Sequence, residues 1–485
     1  MLSLALSLAQ AVAAQARKRP DATAFVDAST RARTTYADFV RRSLQLARTL
    51  REVHGVRRGD RVAVLALNSV HTFELLIACS QLGAALAPLN VRLPDPELAA
   101  VVARCDARVL FVDEAHAARG LPGLPFEDAT LARDHADDGP VGALDDPLVV
   151  LFTSGTTGLP KGALLTNRSI AANAASTAEA WSLDPADVAL VDAPLFHTGG
   201  LNVLATPLLY LGGTVVVAPR FEAAASAEIL VREGCTIAFG VPTMLERLLA
   251  LGVVDRSRIR LFVTGGAPCP QTLLEAFARK GVPLVQGFGM TECGPNCFRP
   301  LPDARPGSIG TPTHGLETRL VGDDGHDVPD GEPGELLLRG PHVFAGYFRD
   351  EAATRSALDA DGWLHTGDVL RATPEGWFVA GRKKEMFISG GENVYPAEVE
   401  AALMKHPSVA EAAVVGVPDP TWGEAGVAYV LGRDPAPSPE ELRTFLRAEI
   451  AAYKVPRIIH VEVELPRTAS HKIDKRALAE RAASR

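Results

Sequence analysis

The stretch Thr153-Ser154-Gly155-Thr156-Thr157-Gly158-Leu159-Pro160-Lys161-Gly162 crowds hydroxyls, glycines and one lysine into a single loop. Its chemistry suits polyphosphate. Glycines let backbone N–H groups approach anionic oxygens, Ser and Thr hydroxyls donate further bonds, and Lys161 adds a full positive charge. The spacing is not that of a Walker P-loop, because Pro160 stands where Gly is required and Gly162 where Ser or Thr is. A plain hairpin tip is the competing account of such a loop.

The loop needs elements to hold it. Leu148 to Phe152 reads as the strand that feeds it, and Ala163 to Thr166 as a strand that leaves it. β-rich runs alternate with Ala/Leu-rich runs through most of the chain: Arg61 to Ala66 then Thr72 to Leu82, Thr214 to Ala218 then Ala224 to Glu233, Arg260 to Val263 then Gln271 to Arg279. That alternation predicts βαβ wiring and parallel sheet. After about residue 310 short strands separated by Gly, Asp and Pro turns predict a small barrel or distorted sheet. From Arg382 onward the pattern is a compact α+β unit. The fold class expected is therefore α/β, a large multi-layer N-terminal domain with a small β-barrel, plus a mobile α+β C-terminal domain. The boundaries fall at 1–381, a charged hinge at 382–384, and 385–485.

Composition limits the alternatives. A chain of 485 residues exceeds one ordinary core, and a net charge of −9 disfavours nucleic acid as a partner. Six cysteines without CxxC pairing read as reduced thiols, and Cys293 with Cys297 make a poor metal site across Gly294 and Pro295. Leu2 to Ala14 lacks a basic segment ahead of it and reads as an amphipathic helix stopped before Pro20. No run of about 20 apolar residues predicts a membrane span. A cytoplasmic protein is expected.

The loop Thr153 to Gly162 resembles the signature of acyl-CoA synthetases and other adenylate-forming enzymes. Further motifs follow in that family's order and cover nearly the whole chain: Pro194-Leu195-Phe196-His197-Thr198-Gly199-Gly200, Gly265-Gly266-Ala267-Pro268, Gly287-Phe288-Gly289-Met290-Thr291-Glu292, Thr366-Gly367-Asp368, Gly381-Arg382-Lys383-Lys384-Glu385, and Leu465-Pro466-Arg467-Thr468 with Lys472 downstream. The resemblance implies an acid–CoA ligase that uses ATP, Mg2+ and coenzyme A and works through an acyl-adenylate. It implies an ATP site of Thr153, Ser154, Gly155, Thr156, Thr157, Gly158, Lys161, Gly266, Ala267, Pro268 and the turn Gly287 to Thr291, with Thr291 reaching the α-phosphate. Thr153 and Glu292 would flank the metal, an ion that takes oxygen ligands and shares phosphate oxygens. Phe288 stands where the family often has Tyr and keeps the ring face that stacks on adenine.

Asp368 is mapped to the ribose diol and Arg382 to the same sugar or the phosphates. His197 is placed beside the acyl carboxylate. Lys472 is expected to be the catalytic cation for attack of a carboxylate on the α-phosphate, against the reading of a solvated tail lysine, with Lys475 and Arg476 nearby. It is preceded by His471 where the family usually has Gly. Ser389, Gly390 and Gly391 would line the coenzyme A channel once the small domain rotates about Lys384.

For the acid, Arg247 resembles one arginine of malonyl-CoA synthetases, while the second arginine of that pattern is replaced by Gly287. Glycine there predicts a cavity that runs deeper, lined by His197, Leu201, Phe239, Val241, Met244 and Gly287. A medium or long fatty acid is expected, with an aryl acid or malonate as alternatives. An enzyme loading a carrier protein and a non-catalytic nucleotide-binding protein are the rival functions. Partners are small molecules, with a homodimer left open.

Overall fold

The computed structural model describes residues 6–126, 142–153, 160–267, 269–300, 307–468 and 473–483. Ser154 to Gly158, Pro268, His471 and Lys472 lie outside them.

Two mostly parallel sheets form the large domain. In one, the strands run in the order Leu284–Gln286, Leu261–Thr264, Ile237–Phe239, Val188–Val191, Thr214–Val217, Thr23–Asp27 and Arg33–Thr35, only the last being antiparallel to its neighbour. In the other, the order is Leu124–Pro125, Val109–Val112, Arg61–Leu65, Ala85–Pro88, Pro147–Thr153 and Lys161–Thr166, again antiparallel only at the last pair. Strands such as Leu148–Leu151 are buried without alternation, because helices cover both faces.

The core shows the layering. Val62 and Val64 on one sheet, and Leu261 and Val263 on the other, face a shared cluster that includes Phe73, Leu76 and Ala171 from helices between the sheets. Ala63 and Leu65 face an outer cluster with Leu98 and Val101, and Phe262 faces another with Leu245 and Phe277. The period of two along each strand thus sorts side chains into an α-β-α-β-α stack.

The layer expected as a small barrel is, among the described residues, an open four-stranded antiparallel meander in the order Glu317–Val321, Pro333–Arg339, Leu364–Thr373, Gly376–Arg382, beside the ribbon of Phe298–Arg299 and Thr311–Pro312. Its first and last strands do not pair, so the ring stays open. The C-terminal unit pairs Glu392–Val394, Phe387–Ser389, Gly423–Gly432 and Val409–Asp419 antiparallel, with Ile458–Glu462 added parallel to Gly423–Gly432. Its core is its own, built on Val399, Leu403, Leu442 and Leu446 from two flanking helices. The N-terminal stretch folds as expected into a helix, Leu8–Lys18, capped by Ser7 and ended ahead of Pro20. No helix among the described residues is long and apolar enough to cross a membrane.

The helix Asn167–Ala180 carries a polar seam into this apolar interior. It starts directly after the strand Lys161–Thr166, with Thr166 and Ser169 forming a capping box. One turn apart, Asn173 and Ser176–Thr177 lie on one face. Asn173 donates to the Asn202 carbonyl at 2.9 Å, Ser176 Oγ lies 2.8 Å from His342 Nε2, and Asn296 Nδ2 donates to Thr177 Oγ1 at 2.5 Å. His342 is 2% exposed, and burial pushes its imidazole down to about 4.

That shift has a stability consequence. In the window from pH 6.5 to 4 the unfolded chain binds a proton at His342 more readily than the folded one does, so this part of the stability is complete above pH 6.5 and is lost as pH falls. Buried Asp192, raised to about 6, works in the opposite direction and cancels when two variants are compared. Between pH 7.5 and pH 5 the wild type is expected to lose about 2 kcal/mol more than His342→Gln. The measurement is the shift of the thermal midpoint with pH; equal shifts in both proteins contradict the assignment.

Candidate active site

Thr153 and Lys161 are cross-strand partners at the mouth of the antiparallel pair Pro147–Thr153 and Lys161–Thr166, and Thr153 Oγ1 donates to the Lys161 carbonyl at 3.3 Å. The hydroxyl- and glycine-rich loop is therefore the connection of a hairpin whose two ends meet at the sheet edge. The edge is extended by the segment 344–348. Phe348 N donates to the Gly162 carbonyl, Leu164 N to that of Gly346, and Ala345 N to that of Leu164. The same segment holds the Gly-rich turn, since Phe344 N donates to the Glu292 carbonyl at 2.8 Å.

These backbone links bring Tyr347 between Lys161 and Glu292. Its hydroxyl donates to Glu292 Oε1 at 2.8 Å, and Lys161 Nζ lies 5.2 Å from its ring centroid. Burial first, and the Glu292 carboxylate next, push the Tyr347 phenol well above its ordinary range, so it stays a donor. Sequence reasoning missed Tyr347. It lies 55 residues from Glu292, and only the pairing of its segment on the sheet edge reveals it.

The turn from Gly287 to Glu292 folds back on itself: Met290 N donates to the Gly294 carbonyl and Cys297 N to that of Phe288. A Cβ on Gly289 would lie 2.3 Å from Pro295 C, so no side chain fits there. Phe288 meets Phe298 edge-on at 5.5 Å, and Phe298 meets Trp377 at 5.4 Å, which fixes the ring proposed for adenine. Cys293 and Cys297 lie buried in this turn, not on a helix. Among the described residues no group of three or more His, Cys, Asp or Glu side chains is placed to hold a metal ion.

Asp368 pairs across the strands Leu364–Thr373 and Gly376–Arg382 with Arg382, whose Nε lies 3.0 Å from Asp368 Oδ1. Burial raises the Asp368 carboxyl, and Arg382 counters it. Thr366, Gly367, Arg382, Lys383 and Lys384 line a cavity of about 340 Å³ beside this pair. Lys383 is held by Glu335 at 3.1 Å and Asp323 at 3.2 Å, both from the meander. Lys384, next in the 3₁₀ turn Lys383–Glu385, has its amine pushed down by burial and then by Arg382, with Lys161 adding to the effect. The Lys161 loop mouth thus acts on the hinge, and the Glu292 turn on Asp368.

The C-terminal loop Ser389-Gly390-Gly391 closes the hairpin of Phe387–Ser389 and Glu392–Val394, with both glycines at positive φ, 63° and 88°, as a two-residue turn requires. A Cβ on Gly390 would lie 2.7 Å from the Trp422 ring, so the loop is seated on that indole.

Around the expected acyl pocket, Phe239 is brought against glycines. Its ring lies 3.3 Å from where a Cβ on Gly199 would stand and 3.9 Å from that on Gly265, which in turn faces the Gly287 carbonyl at 3.4 Å. Val241 reaches Gly266 at 4.0 Å on the same scale. Ala267 and Gly266 are exposed at this rim, Met244 packs toward Gly240, and Thr291 is half-buried beside Glu292. His197 opens the short helix Thr198–Asn202 and lies against Phe196 at 4.8 Å. Leu201 is wholly buried in the main core.

Beside Gly287, where the deeper cavity is expected, a Cβ would meet the Thr264 carbonyl at 3.6 Å, the Asn296 carboxamide oxygen at 3.8 Å and Trp181 Cζ2 at 4.0 Å, all ordinary contact distances. Trp181 and Asn296, 4% and 3% exposed, escaped sequence reasoning because they come from distant segments with no motif of their own.

A single carboxylate, Glu292, with one oxygen outside the Tyr347 bond, together with the Thr153 hydroxyl, is an all-oxygen donor set. It suits Mg2+, which takes one or two carboxylates and completes its shell with phosphate oxygens and water.

The AMP-binding enzyme family matches residues 12–348, and the AMP-binding enzyme C-terminal domain matches residues 398–472. The chain is 41% identical to a feruloyl-CoA synthase from Amycolatopsis sp over 95% of its length and 96% of that protein's. It is 40% identical to an indoleacetate–CoA ligase of Aromatoleum aromaticum, covering 87% and 88%. The structure of o-succinylbenzoate CoA synthetase from Bacillus subtilis, in complex with its acyl-adenylate intermediate, superposes with a TM-score of 0.87 at 32% identity, over 96% of this chain and 97% of that one.

Proposed function

Given that the chain belongs to the AMP-binding enzyme family and is an ATP-dependent acid–CoA ligase acting through an acyl-adenylate, we propose that its acid is a planar aryl monocarboxylate. The observation that carries this is the likeness to ligases named for aryl acids, the feruloyl-CoA synthase and the indoleacetate–CoA ligase. Around the expected pocket the Phe239 ring packs on Gly199 and Gly265, an aromatic face among glycines. This replaces the fatty acid expected from Gly287 alone.

In this reading the acid lies with its carboxylate beside His197. A carboxylate oxygen attacks the α-phosphorus, the bond from that phosphorus to the bridging oxygen breaks, and pyrophosphate leaves. Lys161 and the hydroxyls of its loop hold the outer phosphates, Thr291 the α-phosphate, Phe288 the adenine and Asp368 the ribose. Mg2+, held by Glu292 and Thr153, supplies charge neutralisation for the phosphates. Lys472 approaches the reacting phosphate from the small domain. That domain then turns about Lys384 and brings Ser389, Gly390 and Gly391 to the pantetheine arm. The thiol sulfur bonds to the acyl carbon with loss of its proton, and AMP departs. The division at 1–381, 382–384 and 385–485 belongs to this reading. It is supported by the Lys383 ion pairs, which tie the chain to the meander up to the residue before the pivot.

The test is kcat/KM for a cinnamate-type acid, octanoate, a longer fatty acid and malonate. The cinnamate-type acid is expected to lead octanoate by about 10-fold or more. Octanoate, a longer chain or malonate in first place refutes the proposal.

A further inference from the structure

The polar seam of the helix Asn167–Ala180 holds two groups that the proposed chemistry does not use. Asn173 and His342 are each 2% exposed, and Asn173 Oδ1 and His342 Nδ1 are buried without a hydrogen-bond partner among the described residues. The way the carboxamide points is fixed, because the Asn202 carbonyl, 2.9 Å from its nitrogen, can only accept. The oxygen lies on the side of Gly294, where a Cβ would stand 2.7 Å from it. Gly294, at φ 87°, keeps that space free of a side chain. On His342, Nε2 is engaged by Ser176 Oγ at 2.8 Å and Nδ1 is the nitrogen left over. Burial keeps this imidazole neutral near pH 7. Asn173, His342 and Gly294 line one small cavity of about 10 Å³. The other polar side chains on its wall are already satisfied: Ser169 Oγ bonds to the Thr166 carbonyl, and the Asn202 carboxamide to Thr198 and Thr206.

We propose that this cavity is a binding site for a single water molecule, which donates to Asn173 Oδ1 and completes the hydrogen bonding of His342 Nδ1. Size selects the ligand, since about 10 Å³ is the room one water needs. The pattern of donors and acceptors selects it again. A carboxamide oxygen accepts only, whereas Nδ1 of a neutral imidazole donates or accepts according to which partner holds the proton between Ser176 Oγ and Nε2. Water answers either case, because it donates and accepts. An anion would meet a carbonyl oxygen in a wall that carries no positive charge, and a metal ion would find one carboxamide oxygen and one ring nitrogen where it takes about four ligands or more. Buried polar groups in native proteins find a partner, protein or water, and here the two orphaned groups share one cavity. The water joins three segments that hold the active site: the helix that follows the strand Lys161–Thr166, the end of the Glu292 turn at Gly294, and the stretch from His342 toward Tyr347. It is independent of which acid the enzyme takes.

The experiment is a crystal structure of the full chain at a resolution that orders internal waters, together with one of Asn173→Leu, which keeps the size of the side chain and removes the acceptor. In the wild type a single spherical density peak is expected about 2.7 to 3.2 Å from both Asn173 Oδ1 and His342 Nδ1, as well ordered as the side chains around it. In Asn173→Leu the peak is expected to be lost while Ser176 Oγ and His342 Nε2 stay in contact. An empty cavity in the wild type overturns the inference, as does a peak that touches only one of the two atoms. A peak with the ligand number and short distances of a cation replaces water by a metal and overturns it too, and so does either atom bonded to a protein donor through a turned side chain. A peak that persists at the same place in a folded Asn173→Leu shows that the carboxamide oxygen does not hold it, with the same consequence. Should the variant not fold, the wild-type structure decides alone. Substrate kinetics play no part in these outcomes, so failure here leaves the aryl reading standing, and failure of that reading leaves this site untouched.

Discussion

Lys472→Ala is expected to lower acyl-adenylate formation by roughly 10³-fold, the scale reached when a charge-stabilising donor is removed from a transition state. Two anions, the acid's carboxylate and the α-phosphate, must meet in that step, and a mobile lysine offsets their repulsion as charge moves toward the leaving pyrophosphate. The neighbouring cations do not substitute for it. Lys475 is half-buried between Glu385 at 2.7 Å and Glu400 at 2.8 Å, an arrangement that fastens the last helix to the small domain. Arg476 pairs with Glu480 on that same helix at 3.1 Å. Pyrophosphate release in a single turnover reads the first half-reaction, and conversion of a supplied aryl-adenylate to the thioester reads the second. The second is expected to survive, since the domain then presents a different face. Loss of both halves in a folded Lys472→Ala contradicts this division of labour, and an equal loss in Arg476→Ala contradicts the choice of lysine.

Glu292→Gln is expected to cost about 10²-fold or more in adenylation and to raise the Mg2+ concentration for half-maximal rate by about 10-fold. The Tyr347 hydroxyl ties this carboxylate into place beside the Lys161 loop mouth. Glutamine keeps the size and one oxygen but removes the charge that balances a divalent ion. Tyr347→Phe is the comparison. It leaves the carboxylate and releases only its anchor, so adenylation falls by about 10-fold or less, with a smaller change in Mg2+ requirement. An unchanged Mg2+ requirement in Glu292→Gln places the ion elsewhere.

Much of the architecture is legible without coordinates, for a physical reason visible in the strands. Leu148–Leu151, Val62–Leu65 and Leu261–Val263 are short apolar runs bounded by turn residues, and the burial that selects them is a local property of composition. The hydroxyl- and glycine-rich loop is legible as a candidate phosphate site because its residues are adjacent in the chain. The expected barrel was less legible: strand runs predict strands, but whether the first and last of them pair depends on how the sheet curls.

The acyl pocket shows the limit most clearly. Gly287 by itself argues for depth, since a missing side chain is missing volume. What stands behind it is Trp181 at the end of one helix, and Asn296, 119 residues from the Thr177 that orients it. The Tyr347 anchor on Glu292 and the Glu335 clamp on Lys383 are likewise contacts across 55 and 48 residues. The sequence by itself determined the class of chemistry, the elements and their order, because nearest-neighbour composition and motif spacing carry them. The tertiary structure alone decided which side chains stand beside Gly287 and which partners hold Glu292 and Lys383, because those follow from which distant segments pack together.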